Sequence, residues 1–174
     1  MAVTPLLSQP EEKAAAPSDS PSFVQEAVIN APIAAVWRVW STSEGYKRTG
    51  VAQAEVDLRV GGLIRSRYGA TGALGDGETI ENRILAYEPP RMIAFRIARP
   101  PQSFPFKEAW KTTWFVVTLT DLGDGRTQIR AASMGFGTDP ESLNMRKFFE
   151  AGNAATLKHL QESFESSAAV GEKK

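Results

Sequence analysis

Glu78 and Asn82 stand four residues apart in a β-rich run, Glu78–Tyr87, and strand periodicity puts both on one face. A carboxyl held in an apolar chamber has a raised pKa, as acid or base chemistry near neutral pH requires. Asn82 or Tyr46 would then orient it. Thr113 and Ser133, expected on inward strand positions, and Asn153 and Thr156, on a helix, add neutral polar groups that need partners when buried. Little other chemistry is available. The chain has no cysteine and one histidine, His159. Disulfides, thiolate-held zinc, iron–sulfur clusters, thiol catalysis and paired-histidine schemes are excluded. His159 has no orienting partner in the sequence pattern and reads as structural or exposed. Gly61-Gly62 lacks the Gly-Lys-Ser/Thr ending of a phosphate loop, and there is no Gly-x-Ser-x-Gly elbow or HExxH pair. No metal or cofactor is expected. No residue is assigned as catalytic unless the protein is an enzyme, in which case Glu78 acts with Asn82 or Tyr46.

These residues need elements to position them. The 174 residues suit one domain. Lys+Arg and Asp+Glu both number 20, a zero net charge that argues against a general binder of nucleic acid or anionic membrane. No run approaches the roughly 18 apolar residues of a membrane span. Residues 1–22 carry Pro5, Pro10, Pro17 and Pro21 among Ala, Ser and Glu, and read as a disordered lead-in. The folded domain is expected over 23–165, with 166–174 a frayed tail. A cytoplasmic location is expected, with an exported protein shorn of its signal as the alternative.

Phe23–Ile29 reads as a strand. Pro32 then opens a helix whose Ile33, Val36, Trp37 and Trp40 recur at i, i+3, i+4 and i+7. Six β-type segments follow, about Ala52–Leu58, Leu63–Tyr68, Glu78–Tyr87, Met92–Ala98, Thr112–Thr120 and Gln128–Met134. Their short connections argue antiparallel pairing. The exception is the loop Arg99–Trp110, whose aromatic content is too high for a solvated turn. A long helix then starts at Thr138-Asp139-Pro140 and runs to about Glu165. Its stripe is apolar at both ends (Met145, Phe148 and Phe149; Leu157, Leu160 and Phe164) and softer at Gly152, Asn153 and Thr156. The fold class is α+β: a curved antiparallel sheet of about seven strands wrapped on a long C-terminal helix. A gap between sheet and helix is the route to function.

The motifs Ile29-Asn30-Ala31-Pro32 with Val36-Trp37, Asp57-Leu58-Arg59-Val60-Gly61-Gly62, Glu81 to Arg91 with its Pro89-Pro90 turn, Gly123 to Thr127, and Gly135-Phe136 stand in order along the chain. Together they resemble the START-like, helix-grip (SRPBCC, Bet v 1-like) superfamily, and within it the Hsp90-ATPase-activator-homologue family. The resemblance spans about Phe23 to Phe164. It implies a sheet gripping a helix around a hydrophobic or amphipathic small molecule. Relatives include aromatase/cyclases, carriers and proteins acting with chaperones, and the fold does not select among them. Lys47-Arg48-Thr49-Gly50 replaces a Trp common in the family, and Ser133 stands for its usual His, so roles resting on those residues do not carry over.

The candidate ligand contacts are Trp37 and Tyr46 near the first helix, and Glu78, Ile80 and Asn82 on the long strand. Phe95, Thr113, Phe115 and Ser133 join them from later strands. Phe104, Phe106 and Trp110 come from the aromatic loop, and Phe149, Asn153 and Thr156 from the final helix. The expected function is binding of a small hydrophobic molecule. Alternatives are a cyclase/aromatase- or hydrolase-like enzyme using a cavity carboxylate, and a chaperone-associated interaction module. Arg65 and Arg67 alternate with Ile64, Ser66 and Tyr68 and are expected on the solvent face; the other reading sets one at the cavity mouth for a carboxylate ligand. Trp114 on the outer sheet face suggests a contact there. A monomer or a homodimer is expected.

Overall fold

The protein, a computed structural model, is described over residues 22–171. Of the expected lead-in, residues 1–22, all but Ser22 lie outside the described residues. The strands are β1 (Phe23–Ile29), β2 (Gln53–Val56), β3 (Leu63–Arg67), β4 (Ile80–Glu88), β5 (Met92–Arg99), β6 (Trp114–Asp121) and β7 (Thr127–Met134). They form one seven-stranded antiparallel sheet in the order β1-β7-β6-β5-β4-β3-β2. Neighbours in the β2–β7 run follow one another in sequence, even across the longer β3–β4 and β5–β6 connections, whereas β1 closes back on β7. This is the α+β helix-grip arrangement expected from the sequence.

Two short helices separate β1 from β2. In α1 (Ile33–Ser41) the Pro32 carbonyl accepts from Ala35 N at 2.9 Å, and Val36, Trp37, Val39 and Trp40 turn inward. Thr42 ends it. Its hydroxyl oxygen accepts from Gly45 N at 3.0 Å and so caps α2 (Ser43–Tyr46). Gly45 has no room for a side chain, since a Cβ there would collide with the Arg38 carbonyl. That tight turn brings Tyr46 into the interior, where it is 9% exposed.

The long helix α3 (Pro140–Gly171) starts at an aspartate cap. Asp139 accepts from Ser142 N at 3.0 Å and from the Ser142 hydroxyl at 2.6 Å. The Ser142 hydroxyl, helped by its N–H, holds the Asp139 carboxyl below the usual aspartate range. The backbone continues helical past Glu165, where the apolar stripe ends. Ser166 to Val170 contain no helix breaker, and the Ser166 hydroxyl donates to the Glu162 carbonyl at 2.9 Å.

The core divides in two along α3. The larger cluster packs α1 and the C-terminal half of α3 against the sheet, with Ile29, Val36, Ile64, Ile93, Ile129 and Leu160 wholly enclosed. Each such side chain contributes about 1.5–3 kcal/mol by leaving water. The smaller cluster joins Phe23, Ala109, Phe136 and Met145, with Phe104, Phe106, Trp110 and Phe149 partly buried around it. Between the two, the helix has nothing large to offer. Gly152 and Asn153 stand there, and a Cβ added at Gly152 would meet open space.

Candidate ligand pocket

A pocket of about 500 Å³ occupies the gap between the two core clusters. This falls within the usual range for small-molecule sites. Gly152, Asn153 and Thr156 of α3 form one wall. The sheet forms the other through Ile80 and Asn82 (β4), Phe95 and Ile97 (β5), Phe115 and Val117 (β6), and Ser133 (β7). Register explains the wall: Phe95 pairs with Phe115 and Phe115 with Ser133, so one row of inward positions crosses three strands.

Aromatic rings close one end. Phe115 packs against Phe149 of α3 with ring centres 5.1 Å apart, and Phe95 stacks on Phe115 at 5.5 Å. Phe104 of the loop after β5 continues the chain, 6.1 Å from Phe149, and meets Phe106 and Phe148 edge-on at 5.3 and 5.8 Å. The mouth lies where lining residues reach solvent: Tyr68 is 66% and Phe148 49% exposed.

The polar groups of the wall are neutral. Ser66, Asn82, Ser133 and Tyr46 are all buried. Burial pushes the Tyr46 phenol up, the nearby Tyr68 adds to the rise, and the Asn82 amide opposes it. Tyr46 therefore stays protonated through the physiological range. Across the gap, Asn153 Nδ2 donates to Ser133 Oγ at 3.2 Å. The lining contains no Asp, Glu, Lys, Arg or His. Among the described residues no group of three His, Cys, Asp or Glu could hold a metal ion. No helix there is long and apolar enough to cross a membrane.

Of the candidates read from sequence, Tyr46, Ile80, Asn82, Phe95, Phe104, Phe115, Ser133, Phe149, Asn153 and Thr156 meet at this pocket. The other five lie elsewhere. Glu78 is not among the lining residues. It precedes β4 in a turn where its N–H donates to Asp76 Oδ1 at 3.0 Å, and its carboxylate accepts from the hydroxyl of Ser103, a lining residue, at 2.5 Å. The wall itself therefore carries no carboxylate for the acid/base scheme. Trp37 belongs to the larger core cluster. Phe106 and Trp110 pack on the smaller one. Thr113 is buried, but its hydroxyl donates to the Ala109 carbonyl at 3.1 Å.

Trp40, Ser66, Tyr68, Ile97 and Phe148 also line the pocket. Ser66 and Tyr68 share strand parity with buried Ile64, a signal that identifies them. Arg65 and Arg67 take the opposite parity. Arg65 reaches Glu55 at 3.2 Å and Glu81 at 3.5 Å. Arg67 contacts Asp76 at 3.1 Å and donates to the carbonyls of Gly69 and Thr71, pinning the Gly-rich loop rather than facing the pocket. A second tie joins this loop to the aromatic one, as Gln102 N donates to Gly77 O at 2.8 Å.

The comparisons agree with this architecture. The protein MLL2253 from Mesorhizobium loti superposes with a TM-score of 0.63 at 18% identity, covering 82% of this chain and 95% of that one. The Aha1 dimer from Colwellia psychrerythraea gives 0.59 at 14% identity, covering 81% and 96%. PFC0360w, an HSP90 activator from Plasmodium falciparum, gives 0.50 at 16% identity, covering 68% and 75%. At these identities the likeness is one of fold. No curated protein matches the chain. The family model described as "Activator of Hsp90 ATPase homolog 1-like protein" matches residues 30–165, and the chain belongs to that family.

Proposed function

We propose that residues 23–165 form a binding domain that holds a small hydrophobic or amphipathic molecule between the sheet and α3. One observation carries this reading: α3 is packed at both ends but leaves an aromatic-walled space of about 500 Å³ beneath its small middle residues. Filling that space with side chains would stabilise the fold, so a protein retaining it gives up stability for an occupant. A lipid and aromatic panel read by thermal shift tests the reading. A ligand at one hundred times its Kd adds about 2.7 kcal/mol, a rise of roughly 5–10 °C for a domain of this size. A flat response across the panel counts against it.

A second reading, action on a chaperone, is favoured by the opposite face of the sheet. Trp114 is 38% exposed there and pairs across strands with exposed Arg96, which has no ion-pair partner among the described residues. The family description and the Plasmodium neighbour, named as an HSP90 activator, both point to Hsp90 activation. The test is the ATPase rate of Hsp90 with and without this protein and its Trp114→Ala variant. Stimulation that Trp114→Ala reduces supports it, and an unchanged rate removes it.

A further inference from the structure

We propose that the pocket selects an uncharged, ring-built molecule carrying a carbonyl or hydroxyl oxygen, which is received by Tyr46 and Asn82. The inference rests on the ligand-binding reading above and specifies the class of ligand. Its first ground is the wall's charge. No lining residue is ionisable near neutral pH, and an ion taken from water into such a space loses its hydration without a counter-charge. The two arginines that adjoin lining residues in sequence are already paired: Arg67 is held by Asp76 and loop carbonyls, and Arg99 by Glu81 at 3.0 Å. Neither is left free for the carboxylate head group of a fatty acid.

The second ground is unspent hydrogen bonding. Asn82 is 7% exposed. Its amide offers two N–H donors and a carbonyl acceptor, yet Tyr46 is the one side chain acting with it among the described residues. Both line the pocket. Tyr46, kept neutral by burial, adds a hydroxyl. A ligand oxygen placed beside them takes up the hydrogen-bonding capacity that their mutual contact leaves over, and a hydrocarbon leaves that capacity unused, which is how a polar site disfavours the analogue lacking the group. The third ground is shape. The stacked Phe95 and Phe115 with Phe149 set on edge present ring faces suited to flat ring systems.

The test is displacement of the neutral fluorophore N-phenyl-1-naphthylamine by three matched tricyclic probes: 9-fluorenone, fluorene and 9-fluorenone-2-carboxylate. Fluorenone is expected to compete best. Fluorene should be weaker by roughly fivefold, the scale of one neutral hydrogen bond. The carboxylate should be weaker by at least about tenfold at pH 7. Asn82→Leu should erase the preference for fluorenone over fluorene. Tyr46→Phe, which keeps the ring in place, should reduce it and covers the case in which Asn82→Leu does not fold. Equal competition by the carboxylate, or an oxygen preference untouched by Tyr46→Phe, overturns the inference while leaving the binding domain intact. Failure of the fluorophore and every probe to bind overturns both.

Discussion

Asn153 on α3 and Ser133 on β7 are joined by a hydrogen bond of 3.2 Å that crosses from helix to sheet beside the pocket. It ties down the part of α3 where apolar packing is thinnest. Both residues face the gap, so the bond holds the wall in place without filling it. A double-mutant cycle with Asn153→Ala and Ser133→Ala, read by urea unfolding, should give a coupling of about 0.5–1.5 kcal/mol. Strictly additive losses would show that the two side chains act independently.

Gly152 is a costly choice in mid-helix, since glycine there is less stable than alanine by about 0.5–1 kcal/mol. Nothing lies within 4 Å of a Cβ at this position. Gly152→Ala should therefore raise the unfolding free energy by that amount, read as a higher urea midpoint with no change in slope. A destabilised Gly152→Ala protein would mean that the helix sits closer to its neighbours than described.

Two of the phenylalanines at the aromatic end differ in burial, and so should their variants. Phe115 is 8% exposed and bridges Phe95 to Phe149. Phe115→Ala should cost about 3 kcal/mol. Phe148 is 49% exposed at the mouth, and Phe148→Ala should cost under about 1 kcal/mol. Calorimetric midpoints for the pair check the order, and equal losses would contradict it.

Asp76 gives the Gly-rich loop a pH dependence. The Arg67 side chain donates to its carboxylate and holds it below the usual aspartate range, aided by the Glu78 N–H and Thr79 hydroxyl. A depressed folded-state pKa means stability present above the ordinary aspartate pKa, about 3.9, and lost as pH falls through the lower native value. The stability difference between the protein and Asp76→Asn should be constant from neutral down to that ordinary value, then shrink below it. A difference that grows on acidification would reverse the sign.

The long helix and its soft middle were readable because 3.6-residue periodicity and residue size are local properties. Met145 and Leu160 as anchors, and Gly152 to Thr156 as the gap between them, follow from spacing alone. Inward rows such as Phe95, Phe115 and Ser133 were readable from alternation. Alternation was a weaker guide ahead of the strand. Glu78 shares the phase of Ile80 and Asn82 on paper, but it lies in a turn bonded to Asp76, and its carboxylate goes to Ser103 rather than to the wall. In the aromatic loop, composition showed that rings must be buried but not against what. The rings of Phe104, Phe106 and Trp110 all pack around the cluster of Phe136 and Met145, and of them Phe104 also lines the pocket. That choice depends on where α3 lands, which no local pattern encodes.

The space beneath Gly152 is the proposed ligand site. The most direct test of this assignment is fluorescence titration of N-phenyl-1-naphthylamine into the protein and into Gly152→Trp, whose indole would project into the mouth. The protein should show saturable one-to-one binding, and Gly152→Trp at least about a tenfold loss of affinity, with folding intact by circular dichroism. Equal binding by both proteins, or no saturation in either, would contradict it.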